Sequence, residues 1–256
     1  MCASGLTSEP PGRTLPDDTV RILGHRGASK DAPENTLAAF RLALEQGADG
    51  VELDARLCAT GEAVVFHDET LERLTGRPGA VRDTPWAVLR TLEVRAAGGR
   101  APIPLLSEVL DRLPRTAWIN VELKAERWSE TGVAEVAGAL LDGGGHAEHV
   151  VVSSFHPLCL LRLAVRYPGL RRGLLLDPDE PMAIQTGLFL PLLARDAVHP
   201  PVGRFDRVDV ERWHRSGREV AAWTVDDPAV ADQLREWGVD SCITNRPGPL
   251  RTAIAR

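Results

Sequence analysis

The sequence predicts an α/β fold, a (β/α)8 TIM barrel with a small insertion after the hairpin of its second strand. Three observations carry that expectation. Short apolar runs alternate with helix-period segments along most of the chain, the pattern of parallel strands joined by helices. Counting the hairpin with its parent strand, the alternation makes eight βα units. No glycine-rich dinucleotide fingerprint follows the first strand, which removes the main support for an open doubly wound sheet. The length, 256 residues, suits one such barrel.

Residues 1–20 have no apolar core and read as a disordered or loosely packed lead-in rather than a signal peptide. Residues 21–256 are read as a single barrel domain. The run RILGH (21–25) is its first strand. PENTLAAFRLALEQG (33–47) reads as the first helix, with Leu37, Phe40 and Leu44 on the buried stripe and Gly47 as the stop. GVELDA (50–55) is the second strand, and a two-residue turn at Thr60-Gly61 folds it into a hairpin. That turn pairs Ala59 with Glu62, Leu57 with Val64 and Asp54 with His67. Glu52, Asp54 and His67 then share one sheet face.

Residues 69–104 break the alternation and are too long for a bare connection. They read as an insertion packed over the barrel mouth, anchored by Trp86 and Leu89. The later strands are 118–123, 150–154, 172–176, 196–200, 220–225 and 241–245. Helical patterns at 105–113, 130–144, 157–167, 207–217 and 228–238 separate them, and 181–194 supplies a helix in the least clear stretch.

The net charge of −6 argues against a nucleic-acid partner held by a general positive field. The four cysteines show no CxxC spacing, so neither a zinc knuckle nor a disulfide framework is indicated. No apolar run is long enough for a membrane span. The expectation is a soluble cytoplasmic protein with a small-molecule partner and no stable membrane anchor. Basic charge is almost all arginine, which makes Lys30 and Lys124 each worth a specific role.

Barrel active sites form at the C-terminal ends of the strands. The first strand ends in GHRGA, the second in ELD, its hairpin returns at HD, and the third ends in ELK. His25, Arg26, Glu52, Asp54, His67, Glu122 and Lys124 therefore gather at neighbouring strand ends. An isolated Glu-x-Asp in a strand is most often a solvated face, but in a barrel water covers neither face. Three carboxylates there need cations, because unpaired buried charge is expensive. Arg26 and Lys124 neutralise part of it. A divalent cation, Mg²⁺ or Ca²⁺, accounts for the rest, because Glu52, Asp54 and Glu122 offer hard oxygen ligands.

His25 and His67 are then free for proton transfer near neutral pH. A cation and an arginine beside two imidazoles suit an anionic, phosphorane-like transition state, so the reaction class is phosphoryl ester cleavage. Trp223, at a strand end, and Phe155, after VVSS, are candidate walls of a substrate pocket. A plain core role is the alternative for Trp223.

The stretches GHRGASKDAPENTLAAF, GADGVELDARLCATGEAVVFHDETLERLTG and NVELK strongly resemble the signatures of glycerophosphodiester phosphodiesterases. AAWTVDDP and GVDSCITNRPG match the end of the same family's barrel, so the resemblance runs from about residue 21 to 250. It implies hydrolysis of glycerophosphodiesters to sn-glycerol 3-phosphate and an alcohol, with one divalent cation. Carried over by motif position, His25 and His67 are the acid–base pair, and Glu52, Asp54 and Glu122 are the metal ligands. Arg26 holds a phosphate oxygen, and Lys124 assists. The resemblance also implies attack by the substrate's 2-hydroxyl, giving a cyclic phosphate that water opens.

Two rivals remain: a related phospholipase-D-like barrel acting on lysophospholipids or sphingomyelin, and a catalytically silent binding module. Glu34 and Asn35 have two readings, near the site or in the first turn of the helix, where an acid suits the dipole. Asp68 is expected to orient His67. His146 and His149 are expected at the surface and His199 at the mouth, while His156 and His214 have no matched role.

Overall fold

The computed structural model describes residues 20–96, 98–143, 145, 147–177, 179 and 193–254. Eight parallel strands close a barrel. In order around it they are β1 (Arg21–His25), β2 (Gly50–Leu57), β6 (Trp118–Leu123), β7 (Val150–Ser154), β8 (Arg171–Leu175), β9 (Ala197–His199), β10 (Glu219–Ala222) and β11 (Ser241–Thr244). Closure comes from β1, which pairs with β11 on one side and β2 on the other. The expected strand bounds hold to within a residue or a few.

Helices α1 (Leu37–Glu45), α4 (Leu106–Arg112), α5 (Val133–Gly143), α6 (Pro157–Arg166), α7 (Arg207–Arg215), α8 (Pro228–Glu236) and α9 (Pro247–Ile254) follow strands along the chain. Their starts are written in the sequence. Asp206 and Asp209 form a reciprocal capping box at α7, and Asp227 caps α8 ahead of Pro228. The outward side chains of the strands and the inner faces of the helices make two large apolar clusters. In the lumen, Leu23, Ala221 and Ile243 pack with Trp118 and Trp223. The expected helix within 181–194 lies almost wholly outside the described residues.

The hairpin partner of β2 is β3 (Ala63–Val65), with Ala55 opposite Val65, Arg56 opposite Val64 and Leu57 opposite Ala63. This corrects the expected register by one residue. The turn takes three residues, Ala59 to Gly61, closed by Cys58 N–H to the Glu62 carbonyl at 3.1 Å. Gly61 has φ 91°, the left-handed residue that a three-residue loop needs.

After the hairpin come α2 (Glu72–Thr75), α3 (Trp86–Leu89) and an antiparallel pair, β4 (Glu93–Ala96) and β5 (Gly99–Pro102). They share a small core of their own, built on Val64, Phe66, Leu71, Leu74, Leu89 and Val94, with Trp86 partly buried against it. No described helix is long and apolar enough to cross a membrane.

Candidate active site

Val51, Leu53 and Ala55 of β2 face the helices, so strand alternation turns Glu52 and Asp54 toward the lumen. Glu122 of β6 lies opposite Asp54 in the parallel ladder. Glu52, Asp54 and Glu122 are 2%, 0% and 7% exposed. One oxygen of each lies within 4.8 Å of the others.

Arg26 and Lys124 face this cluster. Arg26 Nε lies 3.2 Å from Asp54 Oδ2, and its backbone N–H donates to Glu52 Oε2 at 2.9 Å. Arg26 reaches both because it sits in the left-handed region at φ 55°. Gly27 follows at φ 84°, where a Cβ would come within 2.5 Å of the Ala39 backbone. Lys124 Nζ lies 3.2 Å from Asp54 Oδ1 and also pairs with Glu122.

Three carboxylates against two cations leave excess negative charge in a buried place. Burial pushes Glu52 up to about 8, with the nearby Asp54 charge adding to it. Burial likewise pushes Glu122 up to about 7 against the pull of Lys124. Asp54 goes the other way: burial raises it, but Lys124 and Arg26 together hold it well below the usual carboxylate range. Asp54 Oδ1 and Glu122 Oε1 are buried without a well-directed hydrogen bond. Three hard oxygen donors within 4.8 Å of one another, with more negative than positive charge among them, fit a divalent cation.

The two histidines are held in matching ways. Asp226 is acceptor-only, and it takes the Asn245 side-chain N–H at 2.7 Å. Asn245 must then present its oxygen to His25 Nδ1, 2.8 Å away. His25 therefore carries its proton on Nδ1, leaving Nε2 directed at the cluster, 3.9 Å from Glu52. His67 Nδ1 meets Asp68 Oδ1 at 2.7 Å, which fixes the same tautomer. Burial, then the Arg26 charge, lowers the His25 pKa; burial also dominates the lowering at His67. Asp54 and Arg26 act electrostatically on both rings.

A family model for the glycerophosphoryl diester phosphodiesterase family matches residues 25–249. The chain belongs to that family. It is an enzyme, a glycerophosphodiester phosphodiesterase by class. The chain is 34% identical over 247 residues to the glycerophosphodiester phosphodiesterase of Caldanaerobacter subterraneus subsp. tengcongensis, covering 92% of this chain and 98% of that one. Among solved structures, an Oleispira antarctica phosphodiesterase in complex with the product sn-glycerol-3-phosphate has a TM-score of 0.82 at 27% identity, covering 92% and 97% of the two chains. A glycerophosphodiester phosphodiesterase from Agrobacterium tumefaciens has a TM-score of 0.78 at 30% identity, covering 91% and 100%.

The two aromatic candidates lie together at the rim of this phosphodiesterase barrel. Phe155 meets Trp223 edge to face at 5.7 Å, and Lys124 Nζ lies 5.9 Å from the Phe155 ring. The Trp223 indole N–H donates to the His199 carbonyl at 2.8 Å. His199 itself is a correction. It is 2% exposed and lines a lumen cavity of about 20 Å³ with Asn120, Arg21 and Glu219, rather than the mouth. The short β9 ends before its last side chain can clear the packed interior.

Of the two readings of Glu34 and Asn35, the structure supports the one near the site. The helix starts later than expected, because Thr36 is its N-cap and accepts the Ala39 N–H at 3.3 Å. Both residues thus lie in the turn before α1 and point at the site. Asn35 bonds Asp54, and Glu34 bonds Arg26 at 2.9 Å. Sequence reasoning gave no role to Asp226, Asn245 or Arg73. The strand-end position of Asn245 was the one available signal. His149 packs edge-on against Trp118 at 5.1 Å, and His146 lies outside the described residues.

Proposed function

We propose that this enzyme hydrolyses glycerophosphodiesters to sn-glycerol 3-phosphate and an alcohol, using one divalent cation, Mg²⁺ or Ca²⁺, and two histidines. One observation carries the reading: three buried carboxylates converge beside two imidazoles whose Nδ1 atoms are both tied back, which leaves Nε2 of each ring for proton transfer. The product held by the Oleispira antarctica neighbour supports the choice of substrate.

Glu52, Asp54 and Glu122 would hold the cation, which when bound supplies Lewis-acid stabilisation of a phosphoryl oxygen. Arg26 and Lys124 neutralise the remaining non-bridging oxygen charge from the side. One imidazole takes the proton of the attacking oxygen through Nε2, while the other, protonated, gives its proton to the departing alkoxide. Water adds across one P–O bond, so each product oxygen carries the proton it needs. Phe155 and Trp223 form an apolar wall against the carbon skeleton of the glycerol.

The test is incubation with glycerophosphocholine and Mg²⁺ or Ca²⁺, with EDTA as control. Choline and glycerol 3-phosphate are the expected products, formed only with metal. Release of phosphocholine and glycerol would overturn the bond assignment, and full activity in EDTA would overturn the metal.

A further inference from the structure

Arg73 stands on α2, inside the insertion, and no part of the proposed chemistry requires it. Its guanidinium nevertheless bonds two carboxylates at once. Nε and Nη2 donate to Asp68 Oδ2 and Oδ1 at 2.5 and 2.8 Å, and Nη1 and Nη2 donate to Glu34 Oε2 and Oε1 at 3.0 and 2.8 Å. Each carboxylate has a second partner in the site. Asp68 holds His67 Nδ1 at 2.7 Å, and Glu34 accepts from Arg26 Nη1 at 2.9 Å. A continuous chain therefore runs from His67 through Asp68, Arg73 and Glu34 to Arg26, ending on Asp54.

We infer that Arg73 is a positioning residue, which sets His67 and Arg26 relative to one another by bridging the carboxylates behind them. This rests on the roles proposed above for His67 and Arg26. Geometry favours it over an ordinary surface ion pair. A half-exposed arginine with one partner contributes little. Arg73 is 49% exposed, but Glu34 and Asp68 are only 17% and 18% exposed, and both pairs are two-pronged, which fixes direction as well as distance.

Its mounting is firm. Leu71 and Leu74, on either side of it, are buried in the insertion core, and Thr75 Oγ bonds the Leu71 carbonyl at 2.8 Å. The Arg73 hydrogen bonds hold Asp68 down to about 2 against the upward push of its burial, so Asp68 stays an acceptor for His67. The insertion thus supplies the strut that spans the two sides of the site.

Arg73→Ala tests this with two companions, Arg73→Lys and the double variant Arg73→Ala/Asp68→Asn. Turnover of glycerophosphocholine by Arg73→Ala should fall on the order of 10- to 100-fold, mostly in kcat, with the melting temperature little changed. Millimolar guanidinium should restore part of it. Arg73→Lys should stay impaired, because a single ammonium cannot bridge two carboxylates in a plane. Measured beside Asp68→Asn, the double variant should lose less than the product of the two single losses, because both act on His67 through the same carboxylate.

Activity of Arg73→Ala within about twofold of the parent, or a loss that tracks melting temperature and ignores guanidinium, overturns the inference. If the parent itself is silent on the substrate, the functional reading fails separately. The strut is then read by nitrogen NMR of His67: a fixed Nδ1–H tautomer in the parent and a mixture in Arg73→Ala support it, and identical spectra sink it.

Discussion

Asn35 donates its side-chain N–H to Asp54 Oδ2 at 2.7 Å and takes the Asp54 backbone N–H on its own oxygen at 3.2 Å. One amide thus fixes both the backbone and the carboxylate of the acid at the centre of the site. It can do so because Asn35 is fully buried and left-handed, at φ 58°, a conformation that asparagine tolerates better than most residues.

Replacing Asn35 separates those two contributions. Asn35→Ala removes both hydrogen bonds and puts a strained Cβ residue at positive φ, so it should cost about 2–4 kcal/mol by chemical denaturation. Asn35→Gly relieves the backbone strain and should be about 1 kcal/mol less costly. Activity should fall alike in both, since each removes the amide that orients Asp54 and leaves it only its ion pairs with Arg26 and Lys124. If Gly and Ala are equally unstable, strain is not part of the effect.

Both histidines should be indispensable while their partners are merely important. His25→Ala and His67→Ala are expected to lower kcat by roughly 10²–10⁴-fold without shifting the thermal melt. Asn245→Ala, which frees the His25 ring, should cost on the order of 10-fold. The ordering is checked by steady-state kinetics beside circular dichroism. An Asn245→Ala enzyme as dead as His25→Ala would mean that Asn245 touches substrate itself.

The barrel was legible because short apolar runs alternate with helix-period segments, and in β2 Val51, Leu53 and Ala55 face the helices while the lumen face carries Glu52 and Asp54. The hairpin register was not legible. Thr60-Gly61 does not specify a turn length, and three residues rather than two moved Phe66, not His67, opposite Asp54. His67 reaches the site anyway, because the chain leaves the ladder after Val65. Thr36 is a good N-cap residue in the sequence, so the true start of α1, and with it the inward turn of Asn35, could have been read. Arg73 could not. Among the many arginines of the chain, nothing local separates a bridging guanidinium from a solvated one.

Cation binding should release protons. In the free site Glu52 is raised to about 8 and Glu122 to about 7, so below those values the carboxyls hold protons that a metal must displace. Apparent affinity for Mg²⁺ or Ca²⁺ should therefore strengthen as pH rises from about 6 to about 8. Calorimetry in two buffers of different ionisation enthalpy reads the proton release directly. Glu52→Gln and Asp54→Asn should bind metal more weakly and regain part of their activity when metal is raised. Variants that ignore added metal would remove these side chains from the ligand set.

His199 should make the fold sensitive to acid. Its ring is buried in the lumen against Gly173, where a Cβ would come 2.5 Å from Nε2. Burial, with the Arg171 charge second, lowers its pKa from 6.5 to about 3. A depressed folded-state pKa means that stability is intact above the unfolded value and lost below it. Once pH drops under about 6.5 the unfolded chain takes a proton that the native lumen refuses, and the native state loses ~1.4 kcal/mol for each further unit. Paired carboxylates add their own acid sensitivity, so the slope of the parent alone does not isolate this residue. The difference from His199→Gln does, because glutamine is polar and uncharged at every pH. Denaturant titrations between about pH 6 and pH 4 should show the gap in stability between parent and variant narrowing as pH falls. A gap that stays constant would mean that His199 is protonated in the folded barrel, with Asn120 and Glu219 accommodating its charge across the cavity they share.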